Sequence, residues 1–179
     1  MQKPPPLPYN GNMTQRSGTD IRIRTANGGE MLRLWGEAEK EASPTARFFA
    51  QNIECGNAVF WAAERDGALI GELYAFFALE DFDFADGKTT AYLCAFRVQA
   101  AFRGKGIGTR LMETALADLK ARGIVSATIG ADEAQNVARY RRMGFTETVK
   151  TCYADPCDRD EAMQPIRVPA GYVLLRKTL

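Results

Sequence analysis

"FRGKGIGTRLMETAL", residues 102–116, places glycines at 104, 106 and 108 and cations at 103 and 105 directly before a run of good helix formers. The helix half is periodic. Ile107, Leu111, Ala115 and Leu119 recur at i, i+4, i+8 and i+12, and Met112 and Leu116 widen the apolar stripe. Arg110, Glu113, Asp118 and Lys120 take the opposite side. The pattern predicts an amphipathic helix that stops at Arg122, because Gly123 accepts the left-handed cap conformation that other residues resist. A β-branched strand follows over 124–130. The first amides of such a helix lack intrahelical partners and carry the positive end of its dipole, so they attract anions. Gly104, Gly106 and Gly108 remove the Cβ atoms that would keep a phosphate away, while Arg103 and Lys105 add positive charge. The turn suits a pyrophosphate; a tight glycine turn with two solvated cations is the plainer alternative.

Spacing separates this turn from two other phosphate loops. The P-loop needs a lysine directly after its final glycine, and here Gly108 is followed by Thr109. The dinucleotide fingerprint needs G-x-G-x-x-G and a carboxylate about 20 residues on. This chain reads G-x-G-x-G and offers Thr128 and Ile129 at that distance.

Composition narrows the chemistry. With 23 Lys plus Arg against 22 Asp plus Glu, no overall field recommends nucleic acid or an anionic membrane as partner. A 46% hydrophobic content over 179 residues suits one domain with a substantial core. The opening residues have no apolar signal-like run, and the longest apolar run, Leu73 to Leu79, is too short to span a bilayer; a cytoplasmic location is the expectation. Cys55, Cys94, Cys152 and Cys157 lack zinc-site spacing, and there is no histidine, so no metal site is expected. The same absence excludes every nucleophilic triad that uses imidazole as base. Acid and base must come from a carboxylate, tyrosine, lysine, cysteine or water.

Outward from the turn, residues 1–19 read as a flexible proline- and glycine-rich arm and 20–179 as a single domain. A strand begins at Ile21. Helices are expected over 28–41 and 44–55, divided by Ser43-Pro44. "AVFWAAER" and "ALIGELYAFFALE", joined by Asp66-Gly67, form a type I′ hairpin whose second strand is apolar on both faces and therefore central. Glu72 within that strand needs a partner or a function. After an acidic, aromatic connection over 81–88, the strand 90–98 leads into the glycine turn. Asp132 with Gln135 reads as a capping box opening a helix that Gly144 ends, and Asn136, Tyr140 and Met143 share one of its faces. A strand "FTETVKTCY", a loop over 154–169 and a last strand from Gly171 complete the order β-α-α-β-β-β-α-β-α-β-β.

Arg103-Gly104-Lys105-Gly106-Ile107-Gly108 matches Q/R-x-x-G-x-G/A, and Asn136 precedes Tyr140-Arg141-Arg142-Met143-Gly144-Phe145, which matches Y-x-x-x-G-F. With these motifs the chain resembles the GNAT superfamily, the GCN5-related N-acetyltransferases, over residues 20–179. The resemblance implies an α/β fold: a mixed, mostly antiparallel sheet of about seven strands, about four helices, and a splayed strand pair that binds CoA. It implies acetyl-CoA as cosubstrate, its pyrophosphate on the amides of Arg103, Gly104, Lys105, Gly106, Gly108 and Thr109 beside Ile107, its pantetheine along Phe96 and Val98, and Asn136 close by. Tyr140 would serve as acid to the departing thiolate. The acceptor implied is a small-molecule or peptide amine, in a monomer or homodimer, flanked by the helices at 28–55 and the 81–88 connection. Some members carry a basic glutamate on the strand before the turn; this strand offers Tyr92, Cys94 and Phe96 instead. Glu72 or Glu80, or Asp81 and Asp83, are the candidates to act through water, and a Cys94 acyl-enzyme requires a depressed thiol pKa. Two readings stand beside an acetyltransferase: a CoA-binding module without catalysis, and transfer of a different acyl group.

Overall fold

The computed structural model describes residues 20–38 and 41–179. The chain runs through β1 (Arg22–Ala26), α1 (Gly28–Leu34), α2 (Pro44–Glu54), β2 (Ala58–Arg65), β3 (Ala68–Phe76), β4 (Thr90–Val98), α3 (Ile107–Ala121), β5 (Ser126–Ala131), α4 (Ala134–Arg142), β6 (Glu147–Arg159) and β7 (Pro165–Thr178). The seven strands form one sheet in the order β1-β2-β3-β4-β5-β7-β6. Every neighbouring pair is antiparallel except β4 and β5, which are parallel. This is the expected mixed sheet with four helices, in the expected order of elements. The arm expected over 1–19 lies outside the described residues. No described helix is long and apolar enough to cross a membrane.

Alternation along the strands builds two cores. Trp61, Ala63, Leu73 and Ala75 face Leu111, Met112, Ala115 and Leu119 of α3, whereas Phe60, Ala62, Tyr74 and Phe76 face Met31 of α1 and Phe49 of α2. β3 is thus buried on both faces, as its unbroken apolar run requires. The hairpin before it turns at Asp66 and Gly67, both at positive φ, which is the I′ conformation that matches strand twist. Ser43 caps α2 by accepting from the Ala46 amide, and Pro44 occupies its first turn, where a missing N–H costs nothing.

Three local expectations are corrected. α1 ends at Leu34 rather than 41: Asn27 and Glu30 form a capping box at its start, and Gly36 at φ 70 ends it early. α4 has no side-chain cap; Asp132 accepts instead from Asn136 Nδ2 at 3.4 Å, and Gln135 donates to Glu133. The stretch 154–169 is mostly strand. β6 continues to Arg159 and pairs with β7 through register shifts on either side of Asp155. These bulges accommodate Pro156, which has no ladder donor, and a turn in which Asp155 Oδ1 accepts the amides of Cys157 (2.8 Å) and Asp158 (3.1 Å).

Candidate active site

The site begins where the sheet comes apart. β4 pairs with β5 from Thr90↔Ser126 to Leu93↔Ile129, and the pairing ends there although both strands continue. The register of β4 against β3 passes from Tyr74↔Cys94 to Glu72↔Arg97, so three steps of β4 oppose two of β3. The extra residue marks a bulge, and Ala95 within it sits at φ 47, a left-handed conformation that a non-glycine residue adopts at a cost. Past this bulge the β5-facing edge of β4, which carries Phe96 and Val98, has no strand partner among the described residues.

The glycine turn closes the wide end of that gap. Gly104 (φ 73) and Gly106 (φ 76) are left-handed, and a Cβ at either would meet nothing within 4 Å, so both face open space. Gly106 is the N-cap of α3 and supplies no side-chain cap. The amides of Gly106, Ile107, Gly108 and Thr109 have no acceptor among the described residues. Gly108 is needed for a different reason, since its Cβ would stand 3.2 Å from Phe96 Cζ. The Arg103 amide is already donated to Ala100 (3.2 Å), while its Nε donates to the Val98 carbonyl at 2.8 Å. Lys105 Nζ lies 5.6 Å from the Phe102 ring centroid. A cavity of about 630 Å³ opens in front of these amides, walled on its far side by Asn136, Arg139 and Met143 of α4 and its C-cap. Uncapped amides, left-handed glycines and flanking cations at one cavity are the donor set that a diphosphate fits.

Tyr140 faces the narrow end. It lines a second cavity of about 260 Å³ with Cys94, Ala95, Phe96 and Asp132, and Phe96 is a wall of both cavities. Its ring lies 6.5 Å from that of Phe96 and 6.3 Å from that of Phe145. The side chain is 8% exposed, and its hydroxyl makes no hydrogen bond to a described residue. Burial pushes the phenol above its usual value, so the group carries its proton at neutral pH.

A model of the acetyltransferase (GNAT) family matches residues 29–145. The chain belongs to the GNAT family. No curated protein matches the sequence. Among solved structures, an apo agmatine N-acetyltransferase variant is similar at 18% identity and a TM-score of 0.63, covering 89% of this chain and 100% of that one. NAA60 of Arabidopsis thaliana with acetyl-CoA shows 18% identity and 0.62, over 89% and 99% of the two chains. A GNAT acetyltransferase of Elizabethkingia anophelis with acetyl-CoA bound shows 17% and 0.58, over 90% and 99%. These likenesses concern the fold.

The carboxylates of this GNAT chain are distributed unevenly around the site. Glu72 is buried and fully engaged: it accepts from Trp35 Nε1 (2.9 Å) and the Tyr74 hydroxyl (2.7 Å) and pairs with Arg97 Nε (2.5 Å). Burial, then the Glu72 charge, pushes the Tyr74 phenol far up. Glu80 is exposed, outside the cavities that β4 borders. Asp81 and Asp83 both pair with Lys150, at 2.6 and 2.8 Å, and the 81–88 connection packs Phe84 on Tyr92 rather than flanking the gap. Cys94 Sγ lies 4.0 Å from Cys157 Sγ, and burial pushes both thiols up, opposite to what a thiolate nucleophile needs.

Sequence reasoning placed the helices over 28–55 beside the acceptor cleft but missed the part of that wall that β6 supplies. Trp35, Thr45, Phe49, Cys94, Asp155 and Asp158 border a cavity of about 310 Å³ on the α2 side of the β4 bulge. Thr45 on α2 donates to the Arg159 carbonyl (3.4 Å) and accepts its amide (2.9 Å), and the Arg159 guanidinium stands 4.1 Å over the Phe48 ring. These contacts bring the end of β6 against α2. They span more than a hundred residues of sequence, and no local pattern announces them.

Proposed function

We propose that the protein is an N-acetyltransferase that moves the acetyl group of acetyl-CoA onto a primary amine by direct attack. Acetyl-CoA is the cosubstrate of this family. The observation that carries the reading is the row of amides at Gly106–Thr109 unpartnered among the described residues, facing a cavity that shares the Phe96 wall with the cavity lined by Tyr140. The diphosphate rests on those amides with Arg103, Gly104 and Lys105 around it. The pantetheine follows the open edge of β4 along Phe96 and Val98, in the manner of an added strand, with Asn136 on the facing helix. The thioester then lies beside the bulge.

An alkylammonium with a pKa of ~10.4 is neutral in only about one molecule in a few thousand at pH 7, so one proton must leave and free the nitrogen lone pair before the N–C bond forms. Glu72 is held by three partners and acts as a strut for Trp35 and Arg97. Water in the gap, ordered by the carboxylates lining it, takes the proton. Backbone N–H groups at the bulge meet the carbonyl oxygen as negative charge develops. The C–S bond breaks, Tyr140, protonated because it is buried, gives its proton to the thiolate, and the second proton shed by the acylated nitrogen returns through water to the phenol.

The test is thiol release from acetyl-CoA with a panel of primary amines, alongside thermal unfolding with acetyl-CoA, CoA and NAD. The reading expects amine-dependent release and a rise in melting temperature with both CoA ligands but not with NAD. Stabilisation by NAD alone would overturn it. Stabilisation by CoA without any amine-dependent release would leave a binding module instead of an enzyme.

A further inference from the structure

The acceptor's chemistry can be read from the cavity on the α2 side of the bulge. It shares Cys94, Ala95 and Asp155 with the cavity that holds Tyr140, so the two are separated only by the bulge and one aspartate. Its wall is of two kinds. Trp35 and Phe49, with ring centroids 5.0 Å apart, and the two thiol side chains give apolar surface. Asp155 and Asp158 give negative charge, and neither has an ion-pair partner among the described residues. Asp155 is fixed, because its Oδ1 holds the Cys157 and Asp158 amides.

The cation that lines this cavity, Arg97, is already committed. Its Nε pairs with buried Glu72, and its guanidinium stands 5.2 Å from the Trp35 ring centroid. Partial desolvation, and then the neighbouring Asp155 charge, raises the carboxyl of solvent-exposed Asp158 against a smaller opposing effect of Arg97, and an arriving cation relieves the repulsion between the two carboxylates.

Resting on the acetyltransferase reading, we propose that this cavity receives the acceptor as a primary alkylammonium with a compact apolar body, the cation against Asp155 and Asp158 and the body against Trp35 and Phe49. The size of the cavity, about 310 Å³, suits one aromatic ring and a short chain and excludes a bulky polycation lying wholly inside it. A neutral alcohol of the same shape leaves the two charges unanswered, and a carboxylate is repelled.

Binding tests this independently of turnover. Phenethylamine and its neutral counterpart 2-phenylethanol are titrated calorimetrically into protein saturated with CoA, for the wild type, Asp158→Asn and the Asp155→Asn/Asp158→Asn double variant. Asn at 155 keeps the oxygen that accepts the two amides. The expected result is that the amine binds the wild type, the alcohol binds about tenfold more weakly or not at all, and the double variant loses about tenfold in affinity for the amine. CoA-induced stabilisation, unchanged in the variants, shows that they are folded. Equal affinity for amine and alcohol, undiminished binding by the double variant, or no binding of the amine by the wild type overturns the proposal. Thiol release, measured in parallel, separates the two readings: an amine that binds as expected and is never acetylated removes the transferase and keeps the pocket. Acetylation without preference for cationic amines does the reverse.

Discussion

The two ends of the site are built from different material. At the glycine turn the proposed binding groups are backbone amides, presented by three glycines and the start of α3 within a few residues of one another. At the α2 side they are side chains gathered from α1, α2, β4 and β6, among them Trp35, Phe49, Cys94 and Asp158. The first suits a ligand part that never varies, because backbone cannot be changed by substitution without changing the turn itself. The second suits a ligand that differs between family members, because each side chain can be exchanged while the sheet remains.

The largest effect is expected where backbone binds. Gly106→Val forces a β-branched residue into the left-handed N-cap of α3, at a strain of about 1–2 kcal/mol, and sets its methyl groups toward the cleft. Acetyl-CoA affinity by calorimetry should fall by roughly 100-fold. Next is Tyr140→Phe, which removes the proposed proton donor and little else: kcat should fall by about 10- to 100-fold, with acetyl-CoA affinity and melting temperature nearly unchanged. Because burial raises the Tyr140 phenol, its loss of a proton should not limit the rate until the pH exceeds about 10, which a pH–kcat profile checks.

Glu72→Gln should sharpen the contrast from the acceptor side. It leaves Arg97 without its anion and loosens Trp35, so unfolding free energy should drop by about 2 kcal/mol and KM for the amine should rise, while kcat changes little. A loss confined to kcat would return Glu72 to the chemistry. The smallest effect belongs to Asp86→Asn, away from both ends. Burial works against this carboxylate, but the amides of Thr90, Thr89 and Lys88 outweigh it and hold the acid well below its usual range. A depressed folded-state value means stability that is present above about pH 4 and lost as the pH falls further. The variant should lose about 1 kcal/mol near neutrality and show a shallower acid decline in denaturant titrations.

The contrast also explains what could be read in advance. The order of elements, the central position of β3, the I′ hairpin at Asp66-Gly67 and the turn before α3 all follow from residues adjacent in sequence. The splay was expected only through the family resemblance: locally it depends on a bulge at Ala95, a residue with no intrinsic preference for positive φ. Of the proposed acceptor wall, the helices over 28–55 were expected, but Asp155 and Asp158 were not, since the tie that Thr45 and Arg159 make between α2 and β6 spans more than a hundred residues. Pro156 suggested a loop, and the bulges that absorb it kept the stretch in the sheet. The partner of Glu72 was likewise hidden, lying on the strand whose register the bulge displaces.

The most direct test is residue-resolved. With the backbone amides assigned by NMR, CoA should shift the amide protons of Gly106, Ile107, Gly108 and Thr109 downfield, as charge-assisted hydrogen bonds to a diphosphate do. NAD at the same concentration should leave them in place. If CoA binds while those four resonances stay where they were, the diphosphate lies elsewhere and this account of the site is wrong.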